Sequence, residues 1–98
     1  MPIVCTLTPE TLATRKAKLL PGLFRQAETI EPTRDGYSLR FAASSEMLHA
    51  IAVAIDGERR CCRFLRFDLT VEPDGGPVVL TLSGPPGARE FVAALCDV

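Results

Sequence analysis

Glu58-Arg59-Arg60-Cys61-Cys62-Arg63-Phe64-Leu65-Arg66-Phe67 is the stretch on which the fold turns. Upstream of it apolar residues recur at three- and four-residue steps, and downstream at every second residue, so a helix hands over to a strand within it. The same ten residues hold two of the four cysteines and four of the nine arginines, the densest group of reactive and charged side chains in the chain.

Working back from the junction, Met47, Leu48, Ile51, Ala54 and Ile55 form one apolar stripe that continues to Glu58, Cys61 and Cys62. Ser44 or Ser45 supplies the N-cap, and the helix is expected to run to about residue 62 through Gly57. Before it, Tyr37, Leu39 and Phe41 alternate with Ser38 and Arg40, a strand with one buried face. Pro32-Thr33-Arg34-Asp35-Gly36 is turn chemistry, with Asp-Gly as its hairpin signal, and Arg25 to Ile30 reads as an edge strand. Earlier still, Ile3, Cys5 and Leu7 suggest a first strand. Thr8-Pro9-Glu10 opens a helix carrying Leu12, Leu19, Leu20 and Leu23, which Pro21-Gly22 is expected to end or kink. The basic group Arg15, Lys16 and Lys18 reads as a solvated helix face.

Beyond the junction, Leu65, Phe67, Leu69 and Val71 alternate with Arg66, Asp68 and Thr70, the pattern of a half-buried strand. Pro73-Asp74-Gly75-Gly76-Pro77 turns the chain, Val78, Leu80 and Leu82 return it, and Ala88, Phe91, Val92 and Leu95 line a last helix. No repeat, linker or low-complexity segment is visible. The expectation is a single α+β domain over residues 1–98, a two-layer sandwich whose antiparallel sheet is covered on one face by helices. Its element order is β-α-β-β-α-β-β-α.

Composition narrows the function. A formal net charge of −1 gives no basic field for nucleic acid, and no apolar run reaches the roughly 18 residues of a membrane span. Met1-Pro2-Ile3-Val4-Cys5 carries no secretory pattern, so a cytoplasmic, reducing setting is expected, where cysteines serve as thiols, metal ligands or catalytic groups. Four cysteines allow three pairings, one of which would join the neighbours Cys61 and Cys62 in a strained ring, and the spacing fits neither C-x-x-C nor a zinc pattern. The lone His49 falls on the far side of the helix from Cys62, no serine-histidine-acid set can be assembled, and the glycines fit no phosphate-binding fingerprint. Hydrolytic chemistry is therefore not expected.

On a helix, Glu58 lies three and four residues before Cys61 and Cys62, which places its carboxylate beside both. Arg59, Arg60, Arg63 and Arg66 favour thiolate, whereas Glu58 and the helix C-terminus oppose it. With Cys5 as a third sulfur from the first strand, the set Cys61, Cys62, Cys5 and Glu58 would suit Hg(II), Cu(I) or As(III), ions that accept soft sulfur at low coordination number. The competing reading is packing: Cys5 and Cys96 are expected in the core, Cys61 and Cys62 are evenly balanced, and Glu58 would form a surface bridge to an arginine.

The junction resembles an E-R-x-C-C-x-F-L-x-F signature of small bacterial proteins, segments of which accompany heavy-metal-responsive regulators of the MerR class. Residues 68–77 and 84–91 resemble that group as well, and Cys5-Thr6-Leu7-Thr8-Pro9 does so weakly. The resemblance implies a bacterial, cytoplasmic protein with a heavy-metal connection, but no established activity. The chain lacks a helix-turn-helix segment, so it does not imply a regulator. Three functions follow in order: a soft-metal or metalloid binding or sensing accessory protein, a non-catalytic interaction or homodimerisation module with structural cysteines, and a thiol redox protein.

Overall fold

The computed structural model describes residues 20–96, with Cys61 as backbone only. Among these residues lie three α-helices and four strands: α1 (Leu20–Gln26), β1 (Thr29–Pro32), β2 (Gly36–Phe41), α2 (Ser45–Cys61), β3 (Arg66–Val71), β4 (Val78–Ser83) and α3 (Ala88–Cys96). This is the expected order from its second element onward, and the fold is an α+β two-layer sandwich. The expected first strand with Cys5, the Thr8-Pro9 helix start and the Arg15-Lys16-Lys18 face lie outside the described residues.

The four strands form one antiparallel sheet in the order β1-β2-β4-β3. Its centre is the seam between β2 and β4, where Tyr37 pairs with Leu82, Leu39 with Leu80 and Phe41 with Val78. These six side chains are buried on one face, while Ser38, Arg40, Val79 and Thr81 alternate onto the other, more open one. Gly36 closes against this seam, since a Cβ there would overlap the Leu82 carbonyl. The elements after α1 run ββα and then ββα, so the sheet consists of two hairpins joined back to back, a repeat carried by topology rather than by sequence identity.

The helices cover the buried face. Helix α1 contributes Leu20, Leu23 and Phe24, the i, i+3, i+4 stripe of a surface helix, and Phe24 meets Tyr37 edge-on with ring centroids 5.8 Å apart. Pro21 lies within this helix, which runs on to Gln26; whether it ends or kinks the helix expected from Thr8 falls outside the described residues. Arg25 and Gln26 are therefore helical, and the expected edge strand begins only at Thr29. Helix α3 buries Ala88, Val92, Leu95 and Cys96, and its Phe91 packs against Phe64 at 5.1 Å.

Helix α2 begins as its sequence requires. Ser44 is extended, with φ −159°, and its hydroxyl accepts the Met47 N–H at 3.0 Å. The helix passes through Gly57 and ends at Cys61, after which the Cys62 N–H donates to the Glu58 carbonyl at 2.7 Å. The Leu65 N–H then donates to the Cys62 carbonyl at 3.1 Å, which turns the chain into β3 within four residues.

The two hairpins close differently from what their shared Asp-Gly pairs suggest. In the second, Asp74 and Gly75 take φ +57° and +72°, and the Gly76 N–H donates to the Pro73 carbonyl at 3.0 Å. A left-handed φ at both central positions is what a type I′ hairpin turn needs. In the first, Gly36 has no positive φ and belongs to β2, and the Thr33 N–H donates to its carbonyl at 2.8 Å.

Candidate functional site

The inward face of α2 carries Ile51, Ala54 and Glu58 at steps of three and four residues, and Cys62 continues it past the helix end. Cys62 has no exposed surface and Glu58 only 2%. Glu58 is the one buried charged residue among those described. Among the described residues no buried side-chain nitrogen or oxygen lacks a hydrogen-bond partner, so its carboxylate is satisfied where it lies. The surface position expected for Glu58 is thus corrected: the carboxylate is interior, because the three- and four-residue steps that bury Ile51 and Ala54 also carry residue 58 inward.

Neighbouring arginines turn outward. Arg59 and Arg60 both reach Asp56, at 2.7 and 3.2 Å, and Arg66 reaches Asp68 at 3.3 Å, all of them exposed. Arg63 is exposed as well. Charges in water and matched by carboxylates lend little field to a thiol inside the core, and each such bridge is worth about 0–1 kcal/mol. Cys62 and Cys96 are buried thiols. A sulfur without accessible surface also offers no line of attack on a disulfide or peroxide, which weakens the redox reading at Cys62.

Of the four expected ligands, the structure brings Glu58 and Cys62 to one face of α2. The Cys61 side chain and all of Cys5 lie outside what is described. Among the described residues no three of His, Cys, Asp and Glu gather as metal ligands would. His49 is exposed, as its place on the helix predicts. No helix among the described residues is long and apolar enough to cross a membrane.

Two features went unread in the sequence. One is a cleft of about 300 Å³ between the β1–β2 loop and the start of α3, lined by Arg34, Asp35, Arg89 and Glu90, across which an Arg89 guanidinium N–H donates to the Thr33 carbonyl at 3.2 Å. Its two cations and two carboxylates balance, which gives it no preference for a ligand of either sign.

The other feature is β3, which among the described residues is the outermost strand on its side of the sheet. Phe67, Leu69 and Val71 face the same way as the buried Leu82, Leu80 and Val78 with which they pair. Yet Leu69 is 38% and Val71 56% exposed. The strand expected to be half-buried thus has an open apolar face. The physical reason is its position: α3 and the Phe24 ring of α1 pack over β2, and β3 lies two strands away. Alternation along a strand reveals which residues share a face, but not whether a helix reaches far enough to cover them. Comparison with models of known protein families, with curated proteins and with solved structures finds no match.

Proposed function

We propose that this chain is a non-catalytic interaction domain that binds another polypeptide by strand addition along β3. The observation that carries this reading is the exposed pair Leu69 and Val71 on a strand that is outermost in the sheet among the described residues. Edge strands are normally blunted by proline, charged side chains, brevity, a bulge or a covering helix or loop. The opposite edge, β1, conforms: it has four residues and ends in Pro32. Strand β3 has six residues, Arg-Phe-Asp-Leu-Thr-Val, with no proline and with its two charges, Arg66 and Asp68, on the face opposite Leu69 and Val71, and it pairs with β4 residue for residue. Main-chain hydrogen bonds along such an edge supply affinity, and alternate side chains supply selectivity.

The test is a photo-crosslinking amino acid at Thr70, an exposed position in the middle of this edge, incorporated in cells that express the chain. Covalent adducts formed by the otherwise wild-type chain and lost in Leu69→Lys support the reading. Absence of adducts overturns it.

A soft-metal site is the second reading, supported by the buried Glu58 one helical turn before the buried Cys62. An interior carboxylate is costly to keep where packing alone is required. Here Cys62, Cys61 and Cys5 would hold Hg(II), Cu(I) or As(III), with Glu58 beside them. Native mass spectrometry of the reduced protein with each ion decides it: stoichiometric uptake abolished by Cys61→Ser/Cys62→Ser supports the site, and equal uptake by both proteins removes it.

A further inference from the structure

We infer that β3 pairs antiparallel with β3 of a second copy about a two-fold axis through Leu69, joining two four-stranded sheets into one of eight strands. This rests on the interaction reading above and names its partner.

The register follows from the side chains of β3 and Glu72. Residues directly opposite each other in an antiparallel pair share a face, and a slip of one residue exchanges the faces. A two-fold axis normal to the sheet must therefore pass through a self-paired residue. Centred on Asp68, the pairing sets Asp68 against the partner's Asp68. Centred on Thr70, it sets Asp68 against the partner's Glu72. Both oppose like charges, which is unfavourable across a strand pair, and an axis through Phe67 or Val71 engages only one end of the strand.

Centred on Leu69, the pairing is complementary throughout. Phe67 meets the partner's Val71 and Leu69 meets the partner's Leu69, so the exposed apolar row becomes one six-residue ridge. On the other face Asp68 meets the partner's Thr70, and Arg66 meets the partner's Glu72, twice over by symmetry. Arg66 already leans on its own Asp68 at 3.3 Å, so the partner's Glu72 would bring a second carboxylate to the same guanidinium. Glu72 is exposed immediately beyond β3, where its backbone N–H donates to the Pro77 carbonyl at 3.3 Å and holds it in line with the strand. A self-complementary patch of this kind gives a closed dimer rather than an open chain of molecules.

Sedimentation equilibrium of four proteins tests the register: wild type, Leu69→Lys, Arg66→Glu, and Arg66→Glu/Glu72→Arg, each checked for an unchanged unfolding midpoint. The expected result is a wild-type dimer, a monomeric Leu69→Lys, dimerisation weakened about tenfold or more in Arg66→Glu, and recovery to within about threefold in the double variant, as two cross-strand charge pairs lost and regained would give. Recovery on charge exchange would not follow if Arg66 served only its own strand. A dimer indifferent to both Leu69→Lys and Arg66→Glu overturns the inference. So does a monomer whose Thr70 adducts carry a different chain, although that result keeps the interaction reading; a monomer without adducts removes both.

Discussion

Glu58 shows how much a single residue's meaning depends on depth. Its spacing to Cys61 and Cys62 is legible in the sequence, because three and four residues make neighbours on any helix. Its near-complete burial is not, since that depends on where the end of α2 falls against the core, which is a tertiary fact. A buried, hydrogen-bonded carboxylate cannot be trimmed cheaply, because the groups that satisfied it are left behind in a low-dielectric interior. Glu58→Ala is therefore expected to lower unfolding free energy by about 2–4 kcal/mol. Glu58→Gln, which keeps shape and an acceptor, should lose less than half as much. Urea unfolding followed by circular dichroism checks both, and equal losses would mean that the carboxylate's charge contributes all of the effect. The cysteines show the same limit: Cys96 packs in the core as its composition class suggests, whereas the even balance over Cys62 is decided only as to burial.

Elements were more legible than their residues. Capping, apolar stripes and alternation placed α2, β2, β4 and α3 close to their observed bounds, because each signal is local and unopposed. One difference arises where local chemistry has two uses. Asp-Gly reads as a hairpin turn at both 35–36 and 74–75. Only the second pair adopts it; Gly36 is instead demanded by the close approach of the Leu82 carbonyl. The cap on α2 allows a direct prediction at this scale. Ser44→Ala leaves the Met47 N–H without its side-chain acceptor and is expected to cost about 1 kcal/mol. Ser44→Asp should restore most of it, as judged by the urea midpoint, and a neutral Ser44→Ala would show that water replaces the hydroxyl fully.

At the scale of the molecule, the sequence yields the class of fold but not which edge of the sheet is open. The hairpins are local, whereas strand order depends on how they dock, and nothing in an alternating pattern says that β2 and β4 meet. That seam holds the core: Leu39 and Leu80 face each other there with no exposed surface. Leu80→Ala is expected to cost about 2–5 kcal/mol, a large share of the roughly 5–15 kcal/mol that holds an ordinary domain folded. Calorimetry would show a marginal or absent transition, whereas a loss below 1 kcal/mol would mean that the seam collapses around the gap. The back-to-back arrangement of the hairpins bears equally on how the chain reaches its fold. Each hairpin closes over a few residues and can form in about 1–10 μs. The seam between them must instead draw together segments separated by α2 and the whole of β3, a long loop whose closure costs entropy before any contact repays it. Joining the halves is then expected to be the slow step, so that Leu39→Ala or Leu80→Ala should slow folding as well as destabilise the protein, as stopped-flow refolding would show.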